Sequence, residues 1–173
     1  MTQRIAITMG DPAGIGPEVI ASAIASGDLY AEQNDLSVVI LGHSKILQRA
    51  FRLIGADIPV VSLAHMEQFL ELPADTQRAN VYCLDCVADE AKSVPPGVVD
   101  ARGGQAAYEA VATAARLAMA GQIDAMVTAP LHKEALHAAG HHWPGHTEML
   151  AELCGVSSVA MMLYLPPYDA NDP

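Results

Sequence analysis

The stretch "IAITMGDPAGIGPEVIASAIAS", Ile5 to Ser26, decides how the chain begins to fold. Its first residues, Ile5 to Met9, form a short apolar run of strand length. A loop rich in glycine and proline follows, carrying Gly10, Pro12, Gly14, Gly16 and Pro17. Pro17 suits the first position of a helix, where its missing N–H is no loss, and Glu18 in the first turn complements the positive helix end. Strand, loop and helix make one βα unit. The loop itself has two readings. It is a tight turn in which Asp11 bonds neighbouring backbone N–H groups, or it is the mouth of a cleft where glycines let a ligand approach the main chain. The spacing of Gly10, Gly14 and Gly16 does not fit G-x-G-x-x-G, and no Lys-Ser/Thr follows, so the loop is neither a dinucleotide fingerprint nor a P-loop.

The same alternation continues outward. Leu36–Gly42 reads as a buried strand, and His43–Gly55 as a helix with apolar residues at Ile46, Leu47, Ala50 and Leu53. Ile58–Leu63 and Asn80–Asp85 read as strands, Ser93–Gln105 as a Pro/Gly loop, and Gln105–Gln122 as an alanine-rich helix stopped by Gly121. A strand at Ile123–Pro130, a helix at Leu131–Gly140, a turn, a helix at Glu148–Gly155 and a strand at Ser157–Leu165 complete the pattern. Strands alternating with helices predict an α/β fold with a mostly parallel sheet and helices on both faces. In such sheets ligands sit beyond the carboxyl ends of strands. The loops after Met9 and Val127 and the Ser93–Gln105 segment are therefore where a site is expected.

Composition narrows the function. The chain has 173 residues, 51% hydrophobic and 17% charged, enough for one core or for one domain plus part of another. A net charge of −11 without any Lys/Arg cluster argues against nucleic acid and against anionic membranes. A small anionic substrate stays compatible, since a few local cations and N–H groups can hold one. Three cysteines, an odd number, argue against a disulfide framework. Cys83 and Cys86 form a C-x-x-C that follows a strand-like run instead of opening a helix, and no second ligand pair accompanies it; buried or edge thiols are expected, not a redox or zinc site. The first residues carry no signal peptide and no run approaches a membrane span, so a cytoplasmic location is expected.

Two further constellations carry chemistry. In "VTAPLHKEAL", Val127 to Leu136, a strand end leads to His132 and Lys133 at a helix start, where a cation suits a phosphate or carboxylate; a solvated lysine and a surface histidine are the bland alternative. In "WPGHTEML", Trp143 to Leu150, His146 and Thr147 stand at another helix start. Thr147 reads as an N-cap, and the same place offers N–H groups, a hydroxyl and an imidazole to an anion. Glu148 is expected to bias His146 toward its charged form. His141 and His142 add to a histidine cluster, but adjacent histidines do not readily share one tetrahedral metal site.

Taken together, "TMGDPAGIGPE", "DAMVTAPLHKEAL", "GHTEML" and "VAMMLYLPP" resemble the 4-hydroxythreonine-4-phosphate dehydrogenase (PdxA-type) family and its relatives acting on 4-phospho-threonate or erythronate. The resemblance implies a three-layer α/β/α fold like the isocitrate and isopropylmalate dehydrogenases, with a first lobe over residues 1–122 and the start of a second over 123–173. It implies NAD- or NADP-dependent oxidation of a phosphorylated hydroxy acid, then decarboxylation assisted by a divalent metal such as zinc, magnesium or cobalt, in a homodimer. Substrate binding falls on His146 and Thr147, with Lys133 and His132 lining the pocket and Asp11, Gly14 and Gly16 shaping the cleft. The family's metal-ligating histidines and its downstream Lys, Asn and Arg have no counterpart within these residues, so the chain is expected to be an N-terminal half that binds no metal alone, lacks activity alone and is poorly soluble. The alternatives are a non-catalytic small-anion-binding domain and a dehydrogenase of non-phosphorylated cyclic diols, against which the Gly145-His146-Thr147-Glu148 run speaks.

Overall fold

A computed structural model of the protein describes residues 2–27, 29 and 36–164. Five parallel strands form one sheet in the order β3-β4-β2-β1-β5: β1 (Gln3–Thr8), β2 (Leu36–Gly42), β3 (Val60–Leu63), β4 (Val81–Asp85) and β5 (Ala125–Thr128). The central register runs from Gln3 opposite Leu36 to Thr8 opposite Leu41, and β5 joins β1 from Ile5–Ala125 to Thr8–Thr128.

Period-two alternation assigns the strand side chains to two cores. Ile7, Val38, Ile40, Val81 and Cys83 face α1 (Gly16–Ala25) and α2 (Ser44–Leu53), where Ile20, Ile24, Leu47 and Phe51 meet them. Ala6, Val39, Leu41, Tyr82 and Leu84 face the other way, against α3 (Met66–Leu70) and α5 (Ala101–Met119). Phe69 of α3 packs edge-on to Tyr82 with ring centroids 5.5 Å apart. Short helices α4 (Ala74–Ala79), α6 (Lys133–Ala138) and α7 (His146–Leu153) complete the set, with α6 and α7 both resting on α5. The expected three-layer α/β/α architecture with a parallel sheet is what the chain adopts.

Several boundaries differ from those read in the sequence. The Ser93–Gln105 segment is not a loop throughout: α5 begins at Ala101, because Asp100 caps it by accepting from the Arg102 N–H at 2.8 Å. Gly103 and Gly104 thus lie inside a helix. Helices α3 and α4 and a 3-10 turn over Asp89–Ser93 were not legible as periodic runs, being five or six residues long. The strand expected at Ser157–Leu165 is absent among the described residues: 157–164 run on from α7, exposed and outside the sheet, and Leu165 lies outside the described residues. A strand needs a neighbour for its N–H and C=O groups, and no described strand offers one there.

Cys83 is buried within β4 and Cys86 half-buried just beyond it; all three cysteines are free. Burial raises both thiols of the pair, Cys86 to about 12. Since the thiolate is the nucleophile, iodoacetamide at about pH 8 is expected to leave Cys83 and Cys86 unmodified in the folded chain and to alkylate both in urea, as read by mass spectrometry. Equal labelling in both conditions would contradict their placement.

Candidate functional site

The loops singled out in the sequence do converge beyond the carboxyl ends of β1 and β5. Gly10 takes φ +70°, and a Cβ there would stand 2.2 Å from the Pro130 carbonyl oxygen. The Asp11 N–H donates to that same carbonyl at 3.1 Å. A Cβ on Gly16 would stand 2.4 Å from the Met9 carbonyl oxygen and 3.2 Å from Ala129 Cβ. Gly14 is exposed, and its nearest neighbour to a Cβ is the Asp11 carbonyl oxygen at 3.4 Å. Two further segments close on the turn: Arg49 Nη2 donates to Pro12 O at 2.9 Å and the Gly97 N–H to Ala13 O at 2.7 Å. Asp11 is buried, its Oδ1 accepting from the Ala13 N–H at 2.9 Å and lying 2.7 Å from where a Cβ on Gly103 would be. Gly10 and Gly16 therefore admit protein backbone. These glycines do not form a cradle for a dinucleotide pyrophosphate.

His132 and Lys133 stand where α6 begins. His132 is its N-cap, Nδ1 accepting from the Ala135 N–H at 3.4 Å, and its ring is exposed. Lys133 is exposed and forms no ion pair with a described residue. The pair is placed by a close helix contact: a Cβ on Gly104 of α5 would lie 2.0 Å from the Ala135 carbonyl oxygen.

His146 and Thr147 open α7, but Thr147 is not the cap. Gly145 occupies that position, and no side chain caps the helix. The first-turn N–H groups are therefore open to another acceptor. His146 is half-buried, with Nε2 shielded from solvent and without a hydrogen-bond partner. Burial lowers its pKa from 6.5, so the ring is neutral near pH 7. The sequence expectation that Glu148 would favour the charged form fails, because desolvation is the effect that governs this ring.

The turn leading to His146 is fastened through His141 to α5 residues the sequence did not single out. The His141 ring stacks on Tyr108 at 3.8 Å between centroids, with Trp143 parallel at 5.5 Å from each. His141 Nε2–H donates to Gln105 Oε1 at 2.8 Å, and Gln105 Nε2 donates to Glu109 Oε1 at 2.9 Å, which fixes the amide orientation. Burial lowers the His141 pKa, with Glu109 opposing and His142 adding to the shift. Trp143 Nε1 donates to Glu152 Oε2 at 2.7 Å. Gln105 and Tyr108 sit on a helix that reads as alanine-rich packing, and only the fold reveals which way they face.

A second polar cluster went unnoticed at the ends of β2 and β4. Asp85 accepts from Ser44 Oγ at 2.9 Å and Ser62 Oγ at 2.6 Å. Buried His43 caps α2 through Nδ1, which accepts from the Lys45 N–H, so Nε2 carries the proton and donates to Asp89 Oδ1 at 2.9 Å. Lys92 and then His43 hold the Asp89 carboxyl down at about 2. Every member is partnered within the protein, so the cluster is a clamp between loops. Among the described residues no group of three or more His, Cys, Asp or Glu side chains is placed to hold a metal ion. The donors present among the described residues do not fit the metal that the resemblance implies.

The profile of a family described as "Pyridoxal phosphate biosynthetic protein PdxA" matches residues 34–167. The chain is 42% identical over 166 residues to the D-threonate 4-phosphate dehydrogenase of Pectobacterium atrosepticum, covering 95% of this chain and 48% of that protein. It is 36% identical over 160 residues to the 4-hydroxythreonine-4-phosphate dehydrogenase of Trichlorobacter lovleyi, covering 92% and 46%. The crystal structure of a 4-hydroxythreonine-4-phosphate dehydrogenase from Burkholderia phymatum superposes with a TM-score of 0.82 at 39% identity, over 96% of this chain and 48% of that one. The chain thus spans about half the length of the curated relatives it matches. With the parallel sheet, the converging loops and the uncapped His146 helix in place, the sequence and the fold agree that the chain belongs to the PdxA family.

Proposed function

We propose that this chain provides one wall of the substrate site in a dehydrogenase of phosphorylated hydroxy acids, such as 4-phosphohydroxy-L-threonine or 4-phospho-D-threonate. The observation that carries the reading is the combination of an uncapped α7 start with the partnerless, solvent-shielded Nε2 of His146. Both satisfy an anion: the N–H groups donate to it and the helix end favours its charge. Protonation of His146 on binding adds a charge-assisted bond. Thr147 supplies a hydroxyl, Lys133 and His132 are assigned to line the approach, and Asp11, Gly14 and Gly16 to shape the cleft through the turn they build. These residues bind and orient the acid. The NAD or NADP and the divalent metal that such an oxidation and decarboxylation use would be held by residues outside those described. Activity then requires the remainder of the longer enzyme, a homodimer in the cytoplasm, whose first lobe ends near residue 122. No described helix is long and apolar enough to cross a membrane.

Calorimetric titration of the chain tests the reading. The phosphorylated acid is expected to bind, D-threonate about tenfold or more weakly, and His146→Ala to lower phosphate affinity by roughly tenfold to a hundredfold, as expected for a lost hydrogen bond to a charged group. Sulfate, whose charge stays fixed near neutrality, isolates the ring's titration. An anion raises the His146 pKa, so the complex holds more protons than the free chain. Sulfate affinity therefore rises as pH falls toward the free value, which burial sets below 6.5, and this dependence flattens in His146→Ala. Equal binding by both proteins would remove His146 from the site.

A further inference from the structure

We infer that His137 and His142 form a two-imidazole site for a borderline divalent cation, Zn²⁺, Ni²⁺ or Cu²⁺, on the surface between α6 and the turn that leads to α7. The inference does not depend on the anion reading of His146.

Five histidines, at 132, 137, 141, 142 and 146, crowd this part of the chain. The fold commits three of them. His132 caps α6 through Nδ1, His141 stacks on Tyr108 and donates to Gln105, and Nε2 of His146 is shielded from solvent. His137 and His142 remain, both exposed. α6 and the turn bring their rings together, with centroids 5.5 Å apart and planes at 52°. His142 is thus paired with His137 on α6, while its neighbour His141 goes to α5.

One ring already has its tautomer fixed. His137 Nε2 lies 3.4 Å from the Trp143 carbonyl oxygen. A carbonyl only accepts, so Nε2 carries the proton and Nδ1 keeps its lone pair. Metal-ligating histidines are commonly held in this way, one N–H donated to a carbonyl and the other nitrogen left for the ion. Neither Nδ1 of His137 nor a ring nitrogen of His142 has a hydrogen-bond partner among the described residues. Two imidazoles sharing one zinc ion at about 2.0–2.1 Å hold their ring centres roughly 5 to 5.5 Å apart, which matches the 5.5 Å separation here.

The class of cation follows from the donors. Imidazole suits Zn²⁺, Ni²⁺ and Cu²⁺, whereas Mg²⁺ and Ca²⁺ take oxygen. The net charge of −11 draws cations to the surface. Two protein donors fall short of the four that close a structural zinc site, so water completes the shell. A bound ion would join α6, which begins at Lys133, to the turn before His146 and hold these two parts of the surface in one arrangement.

Calorimetric titration of the untagged 173-residue chain with zinc chloride, without phosphate or substrate, is expected to show one equivalent bound. His137→Ala and His142→Ala should each weaken binding about tenfold or more, and the double variant should be no weaker than either single one, because the chelate is lost at the first substitution. His146→Ala, and His65→Asn at an exposed histidine on α3, should bind as the parent does, and Mg²⁺ should not compete. Both ligands are exposed, so urea midpoints of the variants should match the parent. Where one does not, the copper complex of the parent decides: pulsed EPR should detect two coordinated imidazoles. Absence of zinc binding, binding indifferent to either substitution, a single imidazole on copper, or loss of zinc binding in His146→Ala would overturn the proposal. A failed anion titration at His146 leaves these readouts untouched.

Discussion

Gly10→Ala is expected to destabilise the chain by about 3 kcal/mol, read from the midpoint and slope of urea unfolding. Two costs add. The residue sits at φ +70°, a region that costs an L-residue roughly 1–2 kcal/mol. The new methyl would also stand 2.2 Å from the Pro130 carbonyl, a backbone atom held by the Asp11 N–H, so it cannot move aside cheaply. Overpacking of this kind costs about 1–3 kcal/mol. Against this, alanine restricts the unfolded chain and returns about 0.4–1 kcal/mol. Gly14→Ala supplies the contrast within the same loop. Its Cβ would meet ordinary contact at 3.4 Å, so only the unfolded-state gain remains and the variant should be neutral or slightly more stable. If both substitutions behaved alike, the loop would not be locked against β5 as described.

The second large effect is expected at Gly104. Glycine inside a helix is normally a weakness, and alanine there gains about 1 kcal/mol. Here the sign reverses. A Cβ at Gly104 would lie 2.0 Å from the Ala135 carbonyl oxygen, so α6 must move away from α5. A net loss of up to about 2 kcal/mol follows once overpacking of about 1–3 kcal/mol is set against that gain. Because His132 and Lys133 stand at the start of α6, the shift would also displace these two candidate binding residues, and phosphate affinity should fall with stability. A raised urea midpoint for Gly104→Ala would refute the close approach of the two helices.

The order of strands and long helices was legible because each has a strong signal. β2 is an unbroken apolar run, and α2 shows clean helical spacing through Ile46, Leu47 and Ala50. The short helices α3 and α4 were not, since five or six residues hold less than two turns of periodicity. The start of α5 was misread because "RGG" looks like a breaker; Asp100 overrides it, and both glycines serve close packing that no single-chain pattern announces. Ser157–Tyr164 has the composition of a strand, yet composition cannot supply the neighbour that makes one. For the site, residue types and loop ends marked His146, Lys133 and Asp11. Asp11 takes the tight-turn reading, its carboxylate accepting from the Ala13 N–H. The environment of His146 could not be read in advance: burial pushes the ring toward its neutral form, with Glu148 only two residues on.

The turn over residues 10–13 is held through its own main chain: the Asp11 N–H donates to Pro130, the Ala13 carbonyl accepts from the Gly97 N–H, and the Pro12 carbonyl accepts from the Arg49 guanidinium. A frame fastened in that way is indifferent to the identity of the side chains that project from it. Ile15, 61% exposed beside Gly14, can therefore be exchanged without loosening the scaffold. What the loop presents to solvent could thus be changed one position at a time, while the fold beneath stays as it is.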